Sequence, residues 1–452
     1  MYKNVLNQSI IALILFVCGG FVAGRASAQI LSSSNQLQLV AVNTNPLPKT
    51  DGNAAAQPAK VAQPKTVAPA DTAWKPTRRL WGYSFGDFYY DAHADDGNRG
   101  AETNYNGVPT YRNAFQFRRI YLGYDYDIDR KFSVEVLLAS EPSANTAVSA
   151  GTSISNSDNL ADNKMSFYIK LLNLRWKNIF KGSDLVIGEM LTPAFPTLSE
   201  KIWGYRSIEK TVSDFHKTNA FDVGLGLQGV FDPATKNYGY DFLIGNNSQA
   251  ALLSAANANT GFYKIFYGDV YAKFLDQRLI FDLYADYVQT APSAGIIGQQ
   301  SHSMIKGFVA YTTPKITFGL EAYTQQITNG LTNTTTAAAE DATVKAFSVY
   351  SHGAIYKDKL GFFARYDGYN PDNTFNSADV YTVNTNFAAY NPFNKETFTT
   401  AGLDYTPEKN IHFMPNLWYV RYQDQRATTT AGYLPDSHAL VYRLTFFYMF
   451  GK

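Results

Sequence analysis

Residues 440–450 read LVYRLTFFYMF. At a period of two, Leu440, Tyr442, Leu444, Phe446, Tyr448 and Phe450 share one face, while Arg443 and Thr445 share the other. One apolar face with alternating aromatics suits a β-strand whose outer side meets lipid and whose last turn sits in an interfacial aromatic girdle. An inner strand of a soluble sandwich is the competing reading. Val441, Phe447 and Met449 on the second face fit that alternative. The rest of the chain decides between them by repeating the pattern or failing to.

From Leu80 onward the pattern recurs in sixteen runs. The first eight are 80–91, 114–128, 131–141, 164–176, 184–191, 220–231, 238–246 and 262–275. The second eight are 278–289, 303–313, 315–326, 344–356, 359–369, 398–406, 416–423 and 439–450. Pro415 predicts a bulge or a late start for the fifteenth run. The links alternate in length. Seven are short, such as Asp129-Arg130 and Asp276-Gln277, and eight are long, such as Thr192–Asn219 and Ile327–Thr343. A sandwich has no reason to segregate loop lengths in this way, whereas a membrane barrel has short turns on one side and long loops on the other. An even number of strands also closes without a free edge. The expected class is therefore all-β, a transmembrane antiparallel barrel of about sixteen strands.

Composition agrees. Aromatic residues make up 15% of the chain, with 32 Tyr and 31 Phe, against only 17% charged residues. After the N-terminal segment no run offers the roughly 18 consecutive apolar residues that a membrane helix needs. A mean hydropathy of -0.23 is compatible with a barrel, which shows only alternate residues to lipid and lines a wet lumen with the rest.

The N-terminus reads differently. Residues 1–28 have a secretory signal pattern: Lys3, an apolar run from Ile10 to Val22, and Ala26-Ser27-Ala28 as the cleavage site. Cys18 would leave with it, so neither a disulfide nor a thiolate metal site is expected in the mature chain. Residues 29–79 are rich in Ala and Pro and read as a disordered or extended periplasmic leader, followed by the barrel over 80–452.

Several segments resemble a known family. They are FQFRRIYLGYDYD (Phe115–Asp127), GEMLTP (Gly188–Pro193), FDVGLGLQG (Phe221–Gly229), FFARYDGYNP (Phe362–Pro371) and GLDYTPEKN (Gly402–Asn410). In order and spacing they are similar to the phosphate-selective porin O and P family, particularly its Bacteroidetes-like members. The resemblance implies a sixteen-stranded outer-membrane barrel that passes small solutes as a homotrimer, surrounded by lipid and lipopolysaccharide. It also implies that the third long loop, Thr192–Asn219, folds into the pore as a constriction. There Glu200, Lys201, Arg206, Glu209, Lys210, Asp214, His216 and Lys217 carry mixed charge. Trp203, Tyr205, Ile208 and Phe215 would pack the loop on the wall, and Gly224 and Gly226 on the next strand would leave it room.

Lumen charge follows from the face opposite the apolar one. Alternation turns inward Arg119, Asp125, Asp127, Glu135, Glu189, Asp222, Asp241, Asp269, Lys273, Asp282, Asp286, Lys315, Glu321, Arg365, Asp367, Asp404, Arg421 and Arg443, twelve acids against six bases. Residues 80–452 as a whole hold 31 Lys+Arg and 36 Asp+Glu. A phosphate path would need a ladder of Arg and Lys. The expectation is thus passive diffusion of small hydrophilic solutes or ions with weak or cation-leaning selectivity. Pairing of these charges across strands, merely stiffening the wall, is the plainer alternative.

Other chemistry is thin. Gly224–Gly229 matches GxGxxG without a following helix, so no dinucleotide or other cofactor is expected. The six histidines lack metal-ligand spacing. Lys75, Arg78 and Arg79 are too few for a nucleic-acid surface. Two further hypotheses stay open. One is a barrel enzyme with a Ser/His/Asp set. The other is a specific phosphate, anion or sugar uptake channel, in which Tyr121, Tyr271 and Tyr284 would serve as stacking surfaces for a sugar.

Overall fold

The computed structural model describes residues 74–451 except 101–104, 106, 142–166, 217, 248–262, 291–294, 297 and 385–390. The signal pattern over 1–28, most of the 29–79 leader and Lys217 lie outside the described residues.

Alternation builds the strands. They are β1 (Arg78–His93), β2 (Asn113–Asp127), β3 (Phe132–Ser140), β4 (Tyr168–Phe180), β5 (Ser183–Leu191), β6 (Phe221–Val230), β7 (Tyr238–Gly245), β8 (Ile265–Phe274) and β9 (Leu279–Thr290). They continue as β10 (Gln300–Thr312), β11 (Ile316–Asn333), β12 (Ala339–Tyr356), β13 (Leu360–Asn370), β14 (Tyr381–Val383), β15 (Asn394–Glu408), β16 (Ile411–Asp424) and β17 (Ser437–Phe450). Each pairs antiparallel with its neighbours, and β1 pairs with both β2 and β17, which closes the sheet. With the three-residue β14 set aside as part of an outer loop, the barrel has sixteen strands. In β17, Tyr442, Leu444, Tyr448 and Phe450 are exposed while Arg443 and Thr445 are buried, as the stripe requires.

Closure needs close approach at the seam. A Cβ on Gly86 would lie 2.1 Å from Gln116 O and 2.7 Å from the Phe446 ring, so only glycine lets that ring lie across β1.

Three local expectations change. Most of Ile327–Thr343 is strand: β11 and β12 outrun the barrel as a ribbon, and Leu331–Asn333 pairs with β14. Pro415 causes neither a late start nor a bulge against β17, because Ile411–Tyr422 pairs with β17 in one register. The β15 ladder instead lapses between Gly402↔Asn416 and Tyr405↔Phe413, on the side where the missing N–H would have donated. Gly224 and Gly226 do not make room for the loop. A Cβ at 224 would strike Ile244 O at 2.1 Å, and the space at 226 is filled by Met190 Sδ, 2.7 Å away.

Candidate functional site

The third long loop lies inside the barrel, built on two short helices, α1 (Ser199–Trp203) and α2 (Val212–Phe215). Its apolar anchors are buried: Trp203 and Ile208 are 0% exposed and Phe215 is 2% exposed. Trp203 packs on Tyr350 with ring centroids 4.9 Å apart, Tyr205 on Phe363 at 4.7 Å, and His216 stacks on Tyr369 at 3.4 Å. The loop thus crosses from β5 and β6 to the β12–β13 wall.

Buried polar contacts hold it there. Arg118 donates to Ser207 O and pairs with Asp87 at 2.7 Å. Arg365 donates to Lys210 O, and Lys306 Nζ donates to Ala194 O. Trp418 Nε1 donates to Glu209 Oε2 at 2.9 Å, Ser213 Oγ to Glu321 Oε1 at 3.0 Å, and Tyr205 OH to Asp404 Oδ2 at 3.1 Å. Several wall charges are therefore engaged with the loop rather than offered to solute.

Within the loop, Arg206 bridges Glu200 and, at 2.7 Å, Asp214. Burial pushes the Glu200 carboxyl above its usual range, with Arg206 opposing and Asp214 adding to the rise. Burial also works against ionised Asp214, yet Arg206 and Lys210 outweigh it and hold that carboxyl below its usual range. Glu209 is likewise held low against its burial, by Lys210, Arg443 and Arg118. Lys201 is the exposed residue of α1, and its charge reaches Asp241 on the facing wall.

On the wall, Arg119, Asp125, Asp127, Glu135, Asp222, Asp241, Asp269, Lys273, Asp282, Asp286, Arg365, Asp367, Asp404 and Arg443 sit on the rows opposite the exposed apolar ones. Many pair, as the plainer alternative holds: Arg79 with Asp125, Lys177 with Asp127, Arg365 with Asp367, and His412 with Asp404 at 2.9 Å. Glu189 is buried, but it follows Gly188, whose φ of 120° interrupts the alternation, and its register partners are Leu172 and Val223. Arg421 faces outward, a correction. It shares the row of Phe413 and Tyr419, while Trp418 and Tyr422 on the other row are buried, and it pairs with Asp436 at 2.9 Å. Both rows of β16 are apolar, so parity could not choose between them. Lys315 lies in the β10–β11 turn. Tyr121 and Tyr284 are 2% and 0% exposed, which removes them as stacking surfaces.

The sequence reading missed Arg118, Lys170, Arg175 and Lys306. Arg118 and Lys170 are extra residues of β-bulges, at Phe85/Gly86 opposite β2 and at Leu137/Leu138 opposite β4. A bulge re-aims the side chain and shifts the phase. The trace in the sequence is that outward apolar residues fall on odd numbers at Phe115 and Phe117, then on even numbers at Ile120 and Leu122. The bulges place Arg119 and Lys170 together on Glu141, at 2.8 Å and 2.6 Å. Arg206 lies within electrostatic reach of the same carboxylate. Arg175 bridges Asp184 at 3.1 Å and Gln228 at 2.8 Å. Near the turns, a polar cavity of about 400 Å³ is lined by Asp125, Asp127, Glu135, Asn173 and Arg175. Among the described residues, no group of three or more His, Cys, Asp or Glu is arranged to hold a metal ion.

No family model matches the chain, and no curated protein does. Solved structures do. An anion-selective porin from Comamonas acidovorans superposes with a TM-score of 0.51 at 10% identity, over 83% of this chain and 100% of that one. The outer-membrane channel DcaP of Acinetobacter baumannii does so with a TM-score of 0.51 at 11% identity, over 83% and 97%. The fold is that of the outer-membrane porins. In this porin-like barrel the Thr192–Asn219 loop occupies the interior, and the charged rows of the wall surround it.

Proposed function

We propose that this protein is an outer-membrane porin through which small hydrophilic solutes or ions diffuse passively, with weak or cation-leaning selectivity. The observation that carries the reading is the long loop fastened inside a closed barrel whose interior is lined with charge. A water-filled lumen narrowed in this way sorts solutes by size and by the charge of its lining. Acids still outnumber bases on the wall once the missed residues are added, which supports the cation leaning. On this reading residues 1–28 direct export, residues 29–79 form a periplasmic leader and residues 80–452 span the outer membrane. The partners are outer-membrane lipid, lipopolysaccharide and two further copies in a homotrimer. The likeness of the quoted segments to the phosphate-selective porin O and P family belongs to the same proposal.

One observation favours a second reading, an uptake channel for phosphate or other anions: Arg119, Lys170 and Arg206 gather around Glu141 near the constriction. Single-channel recording under a salt gradient separates the two. Stepwise conductance with a cation-favouring reversal potential supports the first, and strong anion preference supports the second. Correctly folded barrels without conductance steps would overturn both.

A further inference from the structure

Lys306 on β10 is charged and yet 0% exposed. Its neighbours Phe308 and Ala310 on the same face are apolar, so an apolar side chain would suit the position sterically. Burying an ammonium carries a large desolvation cost unless its contacts offset it. Those contacts point in two directions. Towards the loop, Nζ donates to Ala194 O and lies 3.4 Å from Ser199 Oγ at the start of α1. Towards the wall, Glu321 Oε2 is 3.7 Å away, Asp282 Oδ2 is 4.0 Å away, and the Tyr284 ring centroid is at 5.5 Å.

The acids beyond Lys306 form a row. Asp282 is the diagonal neighbour of Asp269 across β8 and β9, and Asp269 stands directly opposite Asp241 on β7. All three are at least nine-tenths buried. Among the described residues, both oxygens of Asp282 and one oxygen each of Asp241 and Asp269 are buried without a hydrogen-bond donor. Like charges directly opposite in a sheet repel. Lys306 is the ammonium at the Asp282 end of the row, and its charge offsets that of Asp282.

We propose that Lys306 is a positioning and selectivity-setting residue: it fastens the constriction loop through Ala194 O and offsets the charge of Asp282 at the end of the Asp241–Asp269–Asp282 row beneath it. The inference rests on the channel reading given above. With Lys306 neutral, the row would draw cations into the lumen, and the loop's first turn would lose its seat.

The test compares refolded wild type, K306M, K306R and K306M/D282N in planar bilayers under a potassium chloride gradient. K306M raises the cation-to-anion permeability ratio about three- to tenfold, the size expected of one uncompensated charge in a narrow pore, and adds conductance flicker. K306R retains wild-type behaviour. K306M/D282N returns the ratio towards wild type while the flicker persists, because the tether is still missing. If K306M fails to fold, D282N alone must shift the ratio towards anions. A second readout needs no conductance: a Ser199→Cys reporter is labelled by maleimide faster in K306M than in the Lys306 background. Unchanged permeability in K306M, or in D282N where K306M does not fold, overturns the selectivity role, and unchanged labelling overturns the fastening role. A silent wild-type barrel overturns the channel reading, and the selectivity role with it, and leaves the labelling result to decide the fastening.

Discussion

Two stretches of the inner wall differ in construction. From β7 to β9 the alternation is unbroken, and its inward acids, Asp241, Asp269, Asp282 and Asp286, stand in rows with little basic company. From β1 to β4 the ladder is bulged twice, and each bulge delivers a basic residue to an acid: Arg118 to Asp87 and Lys170 to Glu141. The regular wall concentrates one sign of charge. The bulged wall cancels it. A bulge therefore acts here as a device for inserting a counter-charge where strict alternation would put the residue in lipid.

The contrast makes one kind of substitution act with opposite sign on the two walls. R118M should destabilise most, by about 3–5 kcal/mol in denaturant unfolding, because buried Asp87 loses its ion-pair partner and keeps only the neutral donors Gln116 and Tyr105; R118M/D87N should recover much of that loss. Recovery of nothing would mean that the contact to Ser207 O, not the ion pair, is what counts. On the regular wall, D269N should raise stability by up to about 1 kcal/mol by relieving its repulsion with Asp241. A loss of stability there would mean that the acids are better compensated than their contacts indicate.

The constriction offers a pH lever. Glu200 sits above the usual carboxylate range, so acidification protonates it before Asp214, which is held low by Arg206. Each proton taken up removes a negative charge from the loop. The reversal potential should therefore move towards anions as pH falls into the mildly acidic range, and E200Q should reduce that movement. The smallest effect belongs to the outer face. R421A breaks an exposed pair with Asp436 and should cost less than about 1 kcal/mol, with conductance and selectivity unchanged. A change in selectivity would return Arg421 to the lumen.

All sixteen strands could be read from the sequence because lipid imposes a two-residue period on the outer face, and that period is a property of consecutive residues. The inward acids of β7–β9 followed from the same period. Arg118 and Lys170 did not, since one extra residue inverts the parity that the reading relies on. Arg421 was misplaced because Trp418 and Tyr422, turned inward towards the loop and the outer loops, make the inner row of β16 as apolar as the outer. Lys306 obeyed the alternation and could have been found, with Ile305, Val309 and Tyr311 marking the outward row of β10. What no local pattern could show is its contact with Ala194, a residue 112 positions earlier.

The seam between β1 and β17 joins residues 82–93 to residues 440–450. Contacts of such large sequence separation are the slowest kind to form, because the entropy of closing the loop must be met before the contacts reward it. Until they form, both partners present unpaired edges that invite aggregation. The barrel therefore cannot close until its last strand is available. Until then its open edges need protection, which makes assembly a problem of escort as much as of folding.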